Sequence, residues 1–467
     1  MDLLSVCSFF LPAGLGLASP HSWPCATAKV HGPAADCNRH RRQECATRAS
    51  KACNPPPIQL TRVLLVPPCA VTKALCVCRH LKAQGCRVVL VETHKYWMVA
   101  TRFSNSVDRF ITVPVPEQDP IAYKQAIKSL AYEEDADLFV PVCSPVASWY
   151  DAGIANVLPP GCRTLSLGQS ETAALDDKVV FAELAKSCGL PVPDARKLHS
   201  KTEIRAFNEE LHAKGSAAKP YVLKNLSYDS MRRLDLFKLP CEPAALDAYI
   251  ADIEVTASAP WGAQAFVKGQ EYSTCAIAYK GVLSCYTDNK ASISCFNYEY
   301  QASTKLREWV ETFVRAHKLT GTLCIDFFIE EGTGKPLAIE CNPRFSSNIT
   351  NFHNSPTFGK AMTNPEELAR AGHCEVPLPT AGETNWVAVD AYYALRKPGL
   401  SLAQRAYELY SAFFEKKDAY FEPDNVLPFL ALHYLHMPTL LMRNIYRGNR
   451  WAKIDMCIGK LTEENGD

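Results

Sequence analysis

Residues 338–350 read AIECNPRFSSNIT, with a carboxylate (Glu340), an amide (Asn342) and a guanidinium (Arg344) on alternate positions after a short apolar run. Alternate side chains of an extended strand share one face, so the three polar heads gather on one side. Upstream, GTLCIDFFIEE carries Asp326 on a strand of its own, and EEGTGK at 330–335 supplies a hairpin turn between the two. Such a hairpin brings the oxygens of Asp326, Glu340 and Asn342 to one point. Two carboxylates that close repel unless a cation stands between them. Hard oxygens in twos and threes are what Mg2+ takes, with phosphate oxygens and water completing its shell. Arg344 would then reach a phosphoryl group in transfer. A surface ion-pair cluster on a hairpin is the other arrangement these residues allow.

Two lysines and a glutamate extend the set. Lys178 opens a helical stretch after LDD, and Lys224 ends the apolar strand YVLK. A lysine at a strand end facing a cleft is a compact charge suited to phosphate, although either one alone reads as a solvated lysine. In QAFVKGQEYS a strand at 264–267 is followed by a turn and Glu271. A carboxylate there can accept from ribose hydroxyls while the strand lies beside a purine.

These residues need a frame to hold them. RVLLV (62–66), a helical pattern over 71–84 closed by Gly85, and RVVLV (87–91) form a βαβ unit, which implies a parallel sheet. Two further βα steps pair 110–113 with 120–131, and 138–142 with a helix after Pro145. Ligands of such layers bind beyond the carboxyl ends of the strands. The loops there, at 94–106 and 143–151, carry His94, Lys95, Arg102, Ser144 and Ser148. These five either face a substrate or pack the first domain against the next. PPCA stands at 67–70 where phosphate-binding glycines would follow the first strand, so no dinucleotide is expected in this layer. A helix from Asp177 to the residue before Gly189 leads into the extended GLPVPDARKL. Strands at 221–224, 264–267, 272–279 and 282–288 and helices at 244–254 and 305–318 then describe an α+β region with antiparallel pairing.

The chain has 467 residues, 47% hydrophobic and 21% charged, with a net charge of +1. That length exceeds one ordinary core, and the charge balance offers nothing to nucleic acid. Twenty cysteines are scattered without a single CxxC pair, which argues for buried free thiols in a reducing compartment over zinc or disulfides. Residues 3–18 are apolar, uncharged and too short to span a bilayer; residues 29–51 then carry six Lys or Arg against Asp36 and Glu44. The pattern suits a bipartite plastid-import leader or a disordered one in a cytoplasmic protein. The expected divisions are a leader at 1–58, an α/β domain at 59–170, a clamp at 171–375 and a mixed C-terminal region at 376–467. The apolar run at 427–442 holds two His and two Pro, and reads as packing, with no stable membrane span.

The order of the polar residues, with LDDK, GLPVP, YVLK, QAFVKGQE, CIDFF and IECNPR, resembles the ATP-grasp enzymes over roughly 177–350. The resemblance implies two α+β subdomains that clamp ATP. Lys178 and Lys224 become phosphate contacts; Gln264, Ala265, Phe266 and Val267 the hinge against adenine; Glu271 the ribose acceptor. Asp326, Glu340 and Asn342 become Mg2+ ligands, and Arg344 the charge on the intermediate. One stretch departs from the family, whose loop after the second lysine is often glycine-rich: here it is NLSYDSMRRL, where Arg232 or Arg233 could supply charge.

Longer stretches (ETHKYWMVATRFSNSVDRF, VPVCSPVASWYD, SYDSMRRLDLFKLPC, IECNPRFSSNIT and WAKIDMCIGKL) resemble the mycosporine-glycine synthase branch of that family, between about residues 61 and 461. This branch implies ligation of glycine to 4-deoxygadusol with ATP, a step towards ultraviolet-absorbing compounds, with Ser346, Ser347 or Arg344 on the glycine carboxylate. Two rivals remain: an ATP-grasp ligase joining another carboxylate to an amine, and a nucleotide-binding regulatory module without chemistry.

Overall fold

Short apolar strands alternating with helices lay down the first layer: β1 (Arg62–Val66), α1 (Val71–Ala83), β2 (Arg87–Thr93), β3 (Arg109–Val113), α2 (Pro120–Glu133), β4 (Leu138–Pro141), α3 (Ala147–Ala152) and β5 (Arg163–Thr164). The sheet runs β3-β2-β1-β4-β5, and every neighbouring pair is parallel. Helices cover both faces of such a sheet, which is why β2 buries its whole length from Val88 to Thr93. Helix α2 begins where Pro120 follows Asp119, whose side chain accepts from the Ala122 amide. The structure, a computed structural model, describes residues 62–463 except 67–70, 143–146, 218, 227–234 and 292–296. The expected leader, Ser144, Arg232 and Arg233 therefore lie outside the described residues.

The middle of the chain builds two antiparallel sheets. α4 (Gln169–Asp176) and α5 (Lys178–Ser187) lead into β6 (Ala195–Leu198), α6 (Lys201–Ala213), β7 (Tyr221–Asn225), β8 (Phe237–Leu239), α7 (Pro243–Ala251) and β9 (Trp261–Ala265), with strand order β6-β9-β7-β8. β10 (Gly269–Tyr279), β11 (Val282–Lys290), α8 (Thr304–Ala316), β12 (Gly321–Glu330) and β13 (Pro336–Asn342) follow, in the order β11-β10-β12-β13. Helix α8 presents Leu306, Trp309, Val310, Phe313 and Val314, at helical spacing, to a core that includes Ile325, Phe327 and Ala338. Because strand side chains alternate, Asp326 is left on the other face of the sheet.

The strand expected at 264–267 begins three residues earlier and ends two earlier, at Trp261–Ala265. Beyond it the backbone leaves the first sheet and joins the second, where the Glu331 amide donates to the Lys268 carbonyl at 2.8 Å. The register between β12 and β13 shifts between Asp326 and Phe327, leaving Ile339 opposite no partner. Its carbonyl accepts from Gln264 Nε2 at 2.8 Å, a direct tie between the two sheets.

The remaining elements are α9 (Phe358–Thr363), α10 (Pro365–Arg370), β14 (Thr384–Asn385), α11 (Val387–Arg396), α12 (Leu402–Phe414), β15 (Lys417–Asp418), α13 (Leu427–Ala431), a π-helical turn (Leu432–His436), α14 (Met437–Arg447), β16 (Trp451–Asp455) and β17 (Lys460–Glu463). The tip of the β16–β17 hairpin meets the start of α1, where the Val71 amide donates to the Ile458 carbonyl at 3.2 Å. One apolar core includes residues of α1 with Trp386, Tyr420, Leu432 and Cys457. The three expected segments after the leader thus pack as one unit, Leu60–Asp467. Among the described residues, no helix is long and apolar enough to cross a membrane, and every cysteine is a free thiol.

Gly269 marks where β10 enters the second sheet. A Cβ there would lie 2.0 Å from the Ile329 carbonyl oxygen, a backbone atom that cannot swing aside. Gly269→Ala should therefore cost roughly 1–3 kcal/mol of stability, read as a lower urea midpoint with an unchanged slope; a wild-type midpoint would show that β12 yields without strain.

Candidate active site

Three neighbouring strands build the centre. Ser273 of β10 pairs in register with Asp326 of β12, which pairs with Glu340 of β13. The Ser273 hydroxyl donates to Asp326 Oδ1 at 2.6 Å, and Asn342 Nδ2 donates to Asp326 Oδ2 at 3.2 Å and to Glu340 Oε1 at 3.5 Å. Arg344 donates to Asn342 Oδ1 and, at 3.3 Å, to Asp176 Oδ1. The hairpin thus gathers all four residues read from the sequence.

Helix α5 supplies the first lysine. Its N-cap is Asp177, whose Oδ1 accepts from the Val179 and Val180 amides at 3.0 and 3.1 Å. Lys197 Nζ holds the other carboxylate oxygen at 2.7 Å. With the cap fixed, Lys178 at the first helical position points Nζ to Glu340 Oε2, 3.2 Å away. The second lysine, Lys224, lies on β7 in the other sheet, within the electrostatic reach of Glu340, Lys178, Glu271 and Asp326. Glu271 lies two residues before Ser273 on β10, and so on the same face.

The charges respond to this crowding. The Glu340 carboxylate raises the Lys178 pKa, and Lys178 in turn holds Glu340 below the usual carboxylate range. Burial and then the Glu340 charge push Asp326 well above that range. Burial lowers Lys224, and burial followed by Glu340 raises Glu271. Lys178, and more weakly Lys224, favour the charged form of Glu340, and the deficit falls on Asp326.

Among the described residues no group of three or more His, Cys, Asp or Glu is placed to hold a metal. The donor set here is two carboxylates and an amide, which suits Mg2+ when phosphate supplies further oxygens. Asn342 turns its nitrogen to the carboxylates and its oxygen to Arg344; half a turn of the amide would offer the oxygen instead. With that rotation Asp326, Glu340 and Asn342 fit the ion.

The hinge residues occupy the passage between the sheets. Gln264 binds the Ile339 carbonyl, and Ala265 ends β9. Phe266 is exposed beneath Lys238, whose Nζ lies 4.3 Å from the ring centre, and Val267 is half-buried.

The first-domain candidates keep other company. His94 shares a hydrogen bond with Thr112 Oγ1 at 3.0 Å; Lys95 pairs with Glu463 of β17 at 3.1 Å; Arg102 donates to the Trp97 carbonyl and stacks 4.3 Å over Phe110. These are packing contacts within the first layer and with the C-terminal hairpin. Ser148 is buried on α3, Ser346 is half-buried just after Arg344, and the buried Ser347 hydroxyl reaches the Cys457 thiol.

Three participants were missed in the sequence. Asp176 orients Arg344 across 168 residues of chain, which no local pattern reveals. Ser273 was open to detection, because period two from Glu271 reaches it. Buried Lys73, on α1, donates to the Phe345 carbonyl at 2.9 Å and so braces the residue after Arg344.

No protein-family model and no curated protein matches the chain. Solved structures do. The biotin carboxylase domain of the Hydrogenobacter thermophilus 2-oxoglutarate carboxylase, crystallised with MgADP and bicarbonate, is 15% identical over 66% of this chain and 70% of its own, with a TM-score of 0.50. N5-carboxyaminoimidazole synthetase from Staphylococcus aureus (14% identity, 67% of this chain, 77% of that one, TM-score 0.45) and L-amino acid ligase from Bacillus licheniformis (14%, 64%, 68%, 0.42) also match. The fold is that of the ATP-grasp enzymes, a parallel sheet followed by mixed helices and strands.

The unequal sharing of Lys178 gives the two carboxylates opposite signs in the ligand-free protein. Asp326→Asn should raise its unfolding midpoint by a few degrees, and Glu340→Gln should lower it by a similar amount. As Asp326 binds its proton more tightly when folded, the gain from Asp326→Asn should shrink as pH falls towards the ordinary carboxylate range. Thermal melts between pH 4 and 8 decide this, and equal shifts of one sign would refute the assignment of charge.

Proposed function

We propose that the chain is an ATP-dependent ligase, and that it joins glycine to 4-deoxygadusol. The observation that carries the first statement is the meeting of Lys178, Lys224 and Glu271 with Asp326, Glu340 and Asn342 around two antiparallel sheets joined at residues 266–268. MgADP in a structure of the same fold supports a Mg-nucleotide here. The second statement rests on the long stretches, between about residues 61 and 461, that resemble mycosporine-glycine synthase.

In this reading adenine lies against Gln264, Ala265, Phe266 and Val267, and Glu271 accepts from the ribose. Lys178 and Lys224 hold phosphate oxygens, with Lys178 already oriented by Glu340 before nucleotide arrives. Mg2+, held by Asp326, Glu340 and Asn342, supplies neutralisation of the triphosphate charge. The enolised 1,3-diketone of deoxygadusol is a vinylogous carboxylic acid, so its oxygen is acidic. That oxygen attacks the γ-phosphorus and the bond to ADP breaks. The glycine amine then adds to the carbon bearing the new phosphate, loses a proton, and phosphate leaves with the carbon–oxygen pair. Arg344, only 11% exposed, faces the negative charge of the phosphorylated intermediate, and Ser346 or Ser347 takes the glycine carboxylate. The protein positions and neutralises, and no covalent enzyme adduct is needed.

With the full chain, Mg·ATP, 4-deoxygadusol and glycine, ADP release should accompany a red shift in ultraviolet absorption, and both should need all three substrates. Glu340→Gln should bind nucleotide yet turn over on the order of 10²-fold more slowly. ADP release independent of deoxygadusol would keep the ligase and discard this substrate; a folded, ATP-binding protein with no turnover would point to the regulatory module.

A further inference from the structure

Helix α13, the π-helical turn and α14 follow one another without a break from Leu427 to Arg447, Leu432 and Met437 at the two joints keeping right-handed helical angles. The buried positions along this helix are Pro428, Ala431, Leu432, His436, Met437 and Asn444. The exposed ones include Leu427, Leu430, Tyr434, Met442, Ile445 and Tyr446, the last 91% exposed. They recur at intervals of three or four residues, apart from a half-buried Pro438 midway, so they form one outward stripe. The helix is apolar on both faces: Pro428, Ala431, Leu432 and Met437 face the protein with His436 and Asn444, and leucine, tyrosine, methionine and isoleucine face out.

The charges beside the stripe share one sign. From residue 427 to 454 the chain carries Arg443, Arg447, Arg450 and Lys453 and no Asp or Glu. Arg447, at the end of the helix, and Arg450, just past it, are exposed, while Arg443 is held by the Lys95 carbonyl at 2.8 Å. Asp424 is exposed three residues before Leu427, but at the arginine end the carboxylates are turned inward: Asp455 is buried, and Glu463 is paired with Lys95 at 3.1 Å. The exposed aromatics of α11 and α12 differ, since Asp390 and Glu408 stand among Arg396, Lys397 and Arg405 there.

We propose that this helix is an in-plane anchor for an anionic lipid surface, with the apolar stripe set among the acyl-chain boundary and the arginines on lipid phosphates and carboxylates. The helix lies on the bilayer and does not cross it, in keeping with its length and polarity. This reading is independent of the ligase assignment.

Sedimentation of the full chain with vesicles of equal parts phosphatidylcholine and phosphatidylserine tests it, against vesicles of phosphatidylcholine alone. The protein should pellet with the anionic vesicles and release with salt. Met442→Glu/Ile445→Glu/Tyr446→Glu should weaken binding about tenfold or more. Arg447→Glu/Arg450→Glu, which leaves the apolar stripe intact, should weaken it about tenfold at low salt. Phe9→Glu/Phe10→Glu, in the apolar leader, should leave binding unchanged. Thermal melts identify any variant that fails to fold. Absence of vesicle binding, binding unaffected by both helix variants, or loss only with the leader variant would overturn the proposal. So would a lipid-free dimer that the helix variants dissociate, which would make this face a subunit contact.

Discussion

Two carboxylates on adjacent strands, Asp326 and Glu340, repel each other across a register pair, and the rest of the site follows from how that repulsion is contained. Lys178 neutralises one of them. The Ser273 hydroxyl and the Asn342 amide bind the other, Asp326, without supplying a positive charge, so burial and Glu340 favour its protonated form. The lysine must be held at the start of α5, so Asp177 has to cap that helix and Lys197 has to hold Asp177. A site kept short of positive charge is costly to fold and ready for a cation, which is the usual balance between stability and function.

The same constraint explains the joint between the sheets. A regular β12–β13 ladder would turn the Ile339 carbonyl to its neighbour. The bulge releases it to Gln264, so the irregularity that sets Glu340 opposite Asp326 also ties the two sheets together. On the far side, Lys73 reaches from α1 to the Phe345 carbonyl, and the Cys324 thiol donates to the Arg344 carbonyl at 2.9 Å. The first α/β layer thereby props the segment that carries Arg344.

What could be read in advance was what the chain encodes locally. The turn at 330–335 was legible because Gly332 and Gly334 take positive φ, 86° and 63°, as a tight hairpin requires. Helix α5 was legible from its Asp cap, and the first sheet from apolar runs at βαβ spacing. The β9 boundary was not, because its end is set by where the second sheet begins. Asp176, Lys73 and the core shared by α1, Trp386 and Tyr420 depend on contacts across hundreds of residues, and no period in the sequence reports them. The loops at 94–106 looked chemical for their polar and aromatic content. Of the two readings open for them, packing is the one with contacts to show: their side chains meet Thr112, Phe110 and Glu463.

The thiols packed around the site bear on how such a protein ages. Cys324 and Cys341 lie buried in the strands that carry Asp326 and Glu340, and burial holds both far above the ordinary thiol range. Oxidants and alkylating agents attack the thiolate, a form these residues almost never adopt. Sulfur here fills space as a small apolar group, and it leaves the carboxylates beside it undisturbed by peroxide. For an oxidant to reach either sulfur, the strands that carry the site would first have to open.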